Sequence, residues 1–420
     1  MKRKFDISII GAGAAGLMAA RELAKAGKKI LIIEAGNCAG GRIHTIRDKG
    51  FSQPVEEGAE FMHGKLPVTT QLLKEAGISY TETSGKIYRY KNSKLEEQKD
   101  FIEGNEKMEE KIKGLPADMP VADFLKQYFG WVEHAEMRRS VTNFIEGYEA
   151  ADAKRASVKA MQQDLMEDDI QQYRIEGGYV RLIDFLRDEC EKAGCIFRMN
   201  EQVKDIYWSR GLVNIKTNNS SFKCTKVLVA APIGILQAEH RNISAIRFHP
   251  SLPQQYTAAK TVGSGKVIKV LLEFKERFWP ADAGFIFSEE PIPTWWTQQP
   301  KDNKLLTGWL GGPNTEQYKR ASDEALLTRA LSSLSSIFDI TLTKENMTAW
   351  HVANWQNYPF TKCAYSYATV GSDAAKKKLN EPVKETIYFA GEAVYEGNAT
   401  GTVEAALDSA LQMVKKILGT

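Results

Sequence analysis

Cysteine and histidine are scarce in this chain, and their spacing argues against two common kinds of stabilised fold. The 420 residues contain five cysteines and six histidines, and no CxxC pair occurs. An odd number of cysteines without a histidine cluster argues against a disulfide framework and against a structural zinc site. We therefore expect free thiols, which are typical of a reducing compartment, and we predict a cytoplasmic protein.

Long apolar runs and an excess of one charge are also missing. No segment approaches the roughly 20 apolar residues that span a bilayer. The formal net charge of +3 is small for this length. The start, MKRKFDISIIGAGAAGL, resembles a signal peptide, but three glycines interrupt its apolar part. The composition thus predicts neither a membrane partner nor a nucleic-acid partner.

The first 35 residues have a regular βαβ pattern. FDISII predicts a strand, LMAARELAKAG predicts a helix, and KKILIIEAG predicts a second, buried strand. Between the first strand and the helix, Gly11, Gly13 and Gly16 form GxGxxG, which allows a tight turn, close approach of a pyrophosphate and close helix packing. Glu34 ends the second strand, where its carboxylate can accept hydrogen bonds from ribose hydroxyls. The pattern predicts dinucleotide binding.

The rest of the chain alternates between helical and strand-rich parts. Residues 66–175 hold several amphipathic helical runs, residues 196–232 alternate as strands, and residues 265–370 are strand-rich with helical inserts. The end reads as a strand, a loop with glycines and a long helix. The charged region 91–114 predicts a mobile surface loop.

The chain is longer than one ordinary hydrophobic core requires, so we predict two domains. A discontinuous nucleotide-binding domain is expected from three parts of the chain, and a substrate-binding domain from the two insertions between them. The predicted boundaries are 1–65, 176–264 and 376–420 for the first domain, and 66–175 and 265–375 for the second.

The segment after Gly265 predicts a strand with a lysine on one apolar face. Lys266 shares that face with Ile268, Val270, Leu272 and Phe274, while Val267, Lys269, Leu271 and Glu273 share the other. Burial of an unpaired ammonium is costly. Lys266 therefore either has a function or extends to solvent from the end of the strand.

Arg42 follows two glycines in CAGGRIHT, residues 38–45. A cation presented by such a turn can neutralise a bound pyrophosphate, although a surface arginine on a flexible turn is the simpler alternative. GxGxxG, Glu34 and GGRIHT together resemble the FAD-binding start of the flavin-containing amine oxidases. That superfamily includes monoamine oxidases, polyamine oxidases, L-amino acid oxidases and histone demethylases. The resemblance implies an α/β fold with a Rossmann-like FAD domain and a substrate domain of mixed sheet and helices.

The resemblance extends to the C-terminal part. Val203 matches a family valine whose backbone contacts the adenine, and IYFAGEAV places Gly391 and Glu392 at the ribityl chain. TGTVEAALDSAL resembles the final helix, whose N-terminus points at the flavin ring. The resemblance implies further FAD contacts at Ala14, Ala15, Ala35, Gly41, Arg42, Gly58, Ala59, Gly401, Thr402 and Val403.

The resemblance also implies the residues of the reaction. Lys266 is similar in context to the lysine that the superfamily holds near flavin N5 through a water. Trp355 and Tyr365 match the tryptophan packed at the flavin and the aromatic residue on its substrate side. Thr402 stands where monoamine oxidases have a second tyrosine, and Ala364 stands where they have the cysteine bonded to the flavin. The expected cofactor is therefore FAD held non-covalently.

EEGAEFMHG, residues 56–64, resembles a stretch of the animal-type polyamine oxidases. It implies that His63 lies at the substrate channel, unless the histidine is structural and satisfied by backbone partners. Glu60 is a candidate partner for a distant substrate ammonium.

These features predict FAD-dependent oxidation of a small-molecule amine, nearest to the polyamine oxidases. The implied reaction is hydride transfer to N5, imine hydrolysis, and reoxidation by molecular oxygen to hydrogen peroxide. An L-amino acid oxidase is one alternative and needs an arginine for the substrate carboxylate, for which Arg89, Arg174 and Arg181 are candidates. A dehydrogenase of the same fold and a non-catalytic FAD-binding module with an interaction surface at 81–150 are the others.

Overall fold

The computed structural model describes residues 5–64, 66–98, 106–166, 171–239, 241–298, 302–397 and 399–419. Within these residues the strands are β1 Phe5–Ile10, β2 Ile30–Ile33, β3 Thr45–Ile46, β4 Val55–Glu56, β5 Met62–His63, β6 Tyr80–Glu82, β7 Lys86–Lys91, β8 Lys94–Gln98, β9 Gln172–Ile175, β10 Ile196–Arg198, β11 Val203–Ser209, β12 Leu212–Thr217, β13 Ser221–Val229, β14 Arg247–His249, β15 Gly263–Ser264, β16 Val267–Phe274, β17 Ala283–Phe287, β18 Thr294–Thr297, β19 Leu305–Gly311, β20 Met347–Asn354, β21 Ser366–Tyr367 and β22 Ile387–Phe389. The helices are α1 Ala14–Lys25, α2 Pro67–Ala76, α3 Glu106–Lys113, α4 Val121–Tyr128, α5 Ala135–Asn143, α6 Val158–Met166, α7 Val180–Lys192, α8 Ile233–Leu236, α9 Pro253–Thr261, α10 Asp323–Phe338, α11 Ser372–Asn380 and α12 Val403–Leu418.

An eight-stranded sheet is assembled from three distant parts of the chain. Its order is β10-β2-β1-β13-β12-β11-β14, and β22 pairs with the second half of β13. Strands β10, β2, β1, β13 and β22 run parallel. In the β11-β12-β13 meander, β12 runs antiparallel to both of its neighbours, and β14 runs parallel to β11. Because helices cover the parallel strands, β1 and β2 are almost continuously apolar and buried.

Helices α1, α7 and α12 cover one face of this sheet. Leu17, Leu186 and Met413 belong to a single buried cluster, which also contains Ile9 from β1 and Ile32 from β2. Burial of this apolar surface, at about 25 cal/mol per Å², is the main force that holds the C-terminal helix against the N-terminal strands. The first and last parts of the chain therefore form one structural layer.

A second sheet has the order β20-β16-β19-β18-β17-β7-β8. Its pairs are antiparallel apart from β17 and β7, which run parallel. All eight residues of β16 are buried. One face of β16 packs against α10 through Ile268, Val270, Leu272 and Phe274. Its other face turns toward the cavity described below.

Smaller elements connect these layers. The three-stranded sheet β5-β9-β6 and the pair β15-β21 place short segments beside the two large sheets. A helical cluster with Phe124, Ile145 and Met161 in its core contains α4, α5 and α6. Between α5 and α6, residues Phe144–Tyr148 form a single π-helical turn.

The charged region 91–114 differs from the predicted loop. Strand β8 extends the second sheet up to Gln98, and α3 begins at Glu106. Residues 99–105 of that region lie outside the described residues. Each large sheet lies within the ranges of one predicted domain, whereas the pairs β5-β9 and β15-β21 join segments of both. The domain boundaries stay a prediction. In the part of the chain that the structure describes, every helix is too short or too polar to cross a bilayer.

Candidate active site

A cavity of about 1550 Å³ opens at the carboxyl edge of the parallel strands. Gly11, Glu34, Ala230 and Ala390 directly follow β1, β2, β13 and β22, and all four lie on its wall. Ligands of open parallel sheets bind at this edge because the strand ends and the following helix N-termini meet there. The cavity then continues between the first sheet and the cavity-facing side of the second.

The glycines of GxGxxG form a cradle, and a side chain has no space at two of them, Gly11 and Gly16. A Cβ on Gly11, whose φ is +104°, would lie 2.8 Å from the Ala230 carbonyl oxygen. A Cβ on Gly16 would lie 2.0 Å from the Gly11 carbonyl oxygen, so Gly16 lets α1 pack closely. Gly13 lies on the cavity wall at the N-cap of α1. This cradle fits the pyrophosphate of a dinucleotide.

Glu34 is fixed at the edge of the cradle by backbone N–H groups. Ala12 N donates to Glu34 Oε2 at 2.7 Å, and Gly36 N donates to Oε1 at 2.7 Å. A carboxylate has about four acceptor positions, so each oxygen keeps capacity for a ligand hydroxyl. The position and the remaining acceptors of Glu34 fit a ribose.

Arg42 joins three segments at the cavity wall. Its Nη1 donates to the Ala364 carbonyl oxygen and to Glu392 Oε1, both at 2.7 Å. Burial opposes the charge of the guanidinium, but Glu392 outweighs burial and raises the pKa of Arg42 above its ordinary value. Arg42 is therefore an ordered cation at the wall, paired with a residue that the sequence also placed near the cofactor.

The N-terminus of α12 faces the same cavity. Gly401, Thr402 and Val403 lie on the wall. Thr402 is the N-cap of α12: its Oγ1 accepts from Ala405 N at 3.1 Å and donates to the Ala399 carbonyl oxygen at 2.6 Å. Thr402 thus orients the positive end of the helix toward the cavity.

The prediction for Lys266 is wrong. Its ammonium pairs with Glu316, and 39% of its side chain is exposed. Lys266 lies outside the cavity wall because the regular alternation begins only at Val267. Before that residue, Gly265 N donates to the Tyr365 carbonyl oxygen, and the chain belongs to the separate pair of β15 and β21.

The buried lysine of this strand is Lys269, on the opposite face. Its side chain is 1% exposed and its Nζ lies 2.6 Å from Glu60 Oε2, whose side chain is 3% exposed. Nζ also donates to the Gly58 carbonyl oxygen at 3.3 Å. An ammonium has three donors, so within the described residues one N–H remains for a ligand or a water in the cavity. The signal in the sequence was a lysine with two apolar residues on either side of it, Val267 and Ile268 before and Val270 and Leu271 after.

Glu60 is saturated by donors. Its Oε1 accepts from Arg174 Nη2 at 3.0 Å, from Trp296 Nε1 at 2.9 Å and from Gln298 Nε2 at 2.7 Å. Burial would raise the pKa of Glu60, but the charges of Lys269 and Arg174 outweigh it and lower the pKa to about 2. Both oxygens are engaged by protein groups, so the structure does not leave Glu60 free for a substrate ammonium.

Aromatic side chains line the part of the cavity beside Lys269. Trp296 packs against Trp309 with ring centroids 5.7 Å apart, and Trp309 stacks on Tyr365 at 6.3 Å. The Tyr365 hydroxyl donates to the Tyr148 carbonyl oxygen at 2.7 Å, and Trp309 Nε1 donates to the Gly147 carbonyl oxygen at 2.7 Å. The predicted Tyr365 thus stands in a wall to which the unpredicted Trp296 and Trp309 also belong.

Trp355 lies on the same wall and is buried. Its Nε1 donates to the Glu57 carbonyl oxygen at 2.9 Å, and its ring stacks on Tyr358 with centroids 4.5 Å apart. The loop at Gly58 passes directly beside it. A Cβ on Gly58 would lie 1.9 Å from the Arg42 carbonyl oxygen and 3.2 Å from Trp355. The indole therefore has a fixed position in the wall.

His63 and Glu149 bring titratable groups to the aromatic part of the cavity. The His63 ring is open to the cavity but enclosed by protein, and this desolvation lowers its pKa to about 4. Tyr148 Oη lies 3.4 Å from His63 Nδ1. Burial raises the pKa of Glu149 to about 7, and its carboxyl has no hydrogen-bond donor among the described residues.

The backbone around Glu149 is irregular. The preceding residues form the π-helical turn Phe144–Tyr148, and the following Ala150 has a φ of +50°. Single π-helical turns and left-handed non-glycine residues occur often at functional sites, because regular structure would direct the side chain elsewhere. Here the irregular turn presents the Glu149 carboxyl to the cavity.

Other predicted residues differ in their relation to the cavity. His63, Trp355, Ala14, Ala15, Gly41, Gly58, Ala59 and Gly391 lie on the wall, whereas Gly16, Ala35 and Val203 do not. Val203 is 4% exposed and packs into the core beneath the meander.

Two buried polar atoms on the wall, Thr361 Oγ1 and Gln172 Oε1, have no partner within the described residues. Such atoms fit a ligand with polar groups along its length.

Comparison with known proteins agrees with this geometry. The sequence profile of the family described as "Flavin containing amine oxidoreductase" matches residues 14–418. Probable polyamine oxidase 4 of Arabidopsis thaliana is 25% identical over 452 residues, which cover 96% of this chain and 86% of that protein. Lysine-specific histone demethylase 2 of Homo sapiens is 25% identical over 450 residues, covering 98% of this chain and 53% of the demethylase, about half of its length.

Solved structures show the same fold. A putrescine oxidase with bound putrescine superposes with a TM-score of 0.82 at 19% identity, covering 100% of both chains. Cyclohexylamine oxidase from Brevibacterium oxydans IH-35A gives a TM-score of 0.80 at 20% identity, covering 99% of this chain and 100% of that chain. At these identities the similarity establishes the fold.

Proposed function

This chain belongs to the flavin-containing amine oxidoreductase family, and from that premise we propose that it oxidises small amines that carry a second cationic group. As a member of the family it is a flavin-dependent amine oxidase, and its cofactor is FAD. The observation that carries the proposal is the Glu149 carboxyl, which has no hydrogen-bond donor among the described residues and lies in an aromatic cavity that also contains Lys269.

The cradle of Gly11, Gly13 and Glu34 would hold the adenosine diphosphate part of FAD, and the N-terminus of α12 would face the flavin ring. When bound, FAD supplies the acceptor for two electrons and a hydrogen from the carbon next to the substrate nitrogen. We propose non-covalent attachment, because Ala364 carries no nucleophile and the Cys363 thiol is buried in a different cluster, with Ile233 and Val394.

The ammonium of Lys269 would be a hydrogen-bond donor at the reacting end of the cavity. Glu60 pairs with the ammonium and fixes its position, and the remaining N–H can donate to a water or to a ligand atom. A positioned water is what hydrolysis of an imine product requires. This proposal transfers to Lys269 the role that the sequence resemblance had suggested for Lys266.

The aromatic wall would bind the apolar part of the substrate and favour a neutral reacting nitrogen. Its ring faces come from Trp296, Trp309 and Tyr365, which pack together and leave little space for water. His63, with its lowered pKa, is neutral at physiological pH and adds no repelling charge. The substrate nitrogen loses its proton before reaction, so activity should increase as the pH rises above neutrality.

Glu149 would receive a second, distant ammonium of the substrate. A cation beside this carboxyl stabilises its ionised form, and the ion pair forms away from bulk water, where it is strongest. Polyamine and putrescine oxidases are among the similar proteins, which supports diamines or polyamines as the substrate class. Glu149 replaces Glu60, which the sequence had suggested for this task.

Molecular oxygen is the proposed final acceptor. In balanced form, a primary amine, oxygen and water give an aldehyde, ammonia and hydrogen peroxide. The cytoplasm remains the proposed compartment, on the basis of five cysteines that the structure leaves as free thiols.

An L-amino acid oxidase is less well supported. Arg174 forms an ion pair with Glu60. Arg181 donates to the Glu176 carbonyl oxygen at an exposed site, and Arg89 lies on strand β7 of the second sheet. Among the described wall residues the arginine is Arg42, and it is paired with Glu392.

The deciding experiment is a peroxide assay of the FAD-loaded protein with monoamines, diamines, polyamines and L-amino acids. Highest kcat/KM for diamines or polyamines supports the proposal, and highest kcat/KM for amino acids contradicts it. Anaerobic bleaching of the flavin by a substrate that gives no peroxide would indicate a dehydrogenase. No bleaching with any compound would favour a non-catalytic module.

A further inference from the structure

Glu57 is a buried carboxylate that the reaction described above does not use. Its side chain is 4% exposed and lies behind the cavity wall. Oε1 accepts from His351 Nε2 at 2.7 Å and from the Tyr358 hydroxyl, and Oε2 accepts from His44 Nδ1. Burial of a carboxylate is costly unless hydrogen-bond donors compensate for it, and here three separate segments supply those donors and are held together by Glu57.

The hydrogen bonds of this cluster hold His351 between two charged groups. Lys49 Nζ lies 3.2 Å from His351 Nδ1, and Nε2 on the other side of the ring donates to Glu57 at 2.7 Å. Burial would raise the pKa of Glu57, but the hydrogen bonds from His351, His44 and Tyr358 outweigh it and lower the pKa far below its ordinary value. Glu57 is therefore ionised.

The cluster connects directly to Trp355. The Glu57 carbonyl oxygen accepts from Trp355 Nε1 at 2.9 Å, while the Glu57 carboxylate accepts from the hydroxyl of Tyr358. Tyr358 stacks on the Trp355 indole with centroids 4.5 Å apart and an interplanar angle of 22°. One residue thus holds both members of the stack, one through its backbone and the other through its side chain.

We propose that Glu57 is the positioning residue of Trp355, and that it sets the tilt of the indole at the cavity wall through Tyr358, His351 and His44. The proposal rests on the proposed function for its kinetic consequence, since Trp355 lies on the wall where the flavin and the amine would meet. The bound cofactor reports the indole position independently of activity.

The test compares FAD-loaded Glu57→Gln with the wild type by visible circular dichroism of the flavin and by steady-state kinetics. The glutamine amide has one acceptor oxygen for three donors, so the stack loosens. We expect a changed dichroism spectrum and a kcat reduced roughly tenfold, with KM for the amine changed less than about twofold. A wild-type spectrum and wild-type kcat in folded Glu57→Gln would overturn the proposal.

Glu273→Gln is the matched control. Glu273 is similarly buried, at 6% exposed, and accepts from Ser52 N at 2.8 Å; within the described part of the chain its carboxylate has no hydrogen bond to Trp355 or Tyr358. This variant should keep the wild-type spectrum and kcat. An identical change in both variants would assign the effect to general loss of a buried carboxylate and would also overturn the proposal.

Tyr358→Phe keeps the stacked ring and removes only the hydroxyl that binds Glu57. It should change the dichroism in the same direction as Glu57→Gln, and it decides the question if Glu57→Gln does not fold. An unchanged spectrum in Tyr358→Phe would then reject the positioning role. If the wild type oxidises no amine, the proposed function fails, yet the dichroism of the FAD-loaded variants still tests Glu57.

Discussion

The ammonium of Lys269 lies 2.6 Å from the carboxylate of Glu60, with both side chains almost completely buried beside the cavity. Neither charge would be tolerated alone at this depth. Arg174, Trp296 and Gln298 complete the surroundings of Glu60, so the pair forms a rigid polar element within an otherwise aromatic wall.

Lys269→Met should abolish most of the activity. The substitution keeps the length of the side chain and removes the donor, and we expect kcat for a good amine substrate to fall roughly 100-fold. Lys266→Met is the control, because the ammonium of Lys266 pairs with Glu316 at the surface, and it should stay within about twofold of the wild type. Equal losses in the two variants would contradict the assignment.

The ion pair between Lys269 and Glu60 should also stabilise the folded protein. Lys269→Met leaves Glu60 with one cation fewer, so the free energy of unfolding should fall by about 3 kcal/mol in urea titrations. The double variant Glu60→Gln/Lys269→Met should lose less than the sum of the two single losses. Additive losses would show that the two charges are not coupled.

Glu60 should make the protein acid-sensitive over a defined range. Its pKa in the folded protein is about 2, below the ordinary value of 4.5, so its contribution is complete above that ordinary value and is lost as the pH falls toward 2. The displacement corresponds to about 3 kcal/mol. Urea titrations between pH 5 and about 2.5 should show a shallower decline for Glu60→Gln than for the wild type, and parallel declines would refute the assignment.

Glu149 should give diamine oxidation its own pH dependence. Burial raises its pKa to about 7, so the carboxyl becomes an anion as the pH rises through neutrality, and only the anion attracts a second ammonium. The ratio of kcat/KM for a diamine to that for a monoamine of equal length should therefore rise across this range. In Glu149→Gln the ratio should be low and independent of pH, and a ratio that still rises would place the second ammonium elsewhere.

Gly16→Ala should reduce both stability and FAD content. The new Cβ would lie 2.0 Å from the Gly11 carbonyl oxygen, so α1 has to move away from the cradle. Gly114→Ala is a suitable control, because its nearest neighbour atom, the Lys111 carbonyl oxygen, would be 3.7 Å away. Thermal unfolding and the ratio of flavin to protein absorbance measure the two effects, and an unaffected Gly16→Ala would indicate a wider cradle.

The N-terminal part of the fold could be predicted because its signals are local. Strand β1, helix α1 and strand β2 follow from periodicity, and the flavin-containing family is confirmed by the family profile. The structure places Gly11, Gly13 and Glu34 on the cavity wall, and their contacts with the cofactor stay predictions. Amine oxidation is confirmed at the level of the family, whereas hydride transfer and oxygen as acceptor stay predictions.

The sequence pattern drew attention to Lys266, whereas the lysine on the cavity wall is Lys269, three positions later, and this difference has a physical reason. Period-two reasoning assumes that one face of a strand is apolar, but β16 is buried on both faces, so the pattern could not distinguish the core side from the cavity side. Lys269 and Glu60, which form the buried ion pair, are separated by 209 positions in the chain. Such contacts depend on the packing of whole layers, as do the positions of Trp296, Trp309 and Glu149 on the wall.

Arg42 and Glu392 are 350 positions apart, yet they close the same wall. During synthesis the ribosome must therefore release the segment that follows β22 before the N-terminal cradle acquires this partner. The complete wall of the cofactor site therefore forms only after β22 and the residues that follow it have been synthesised.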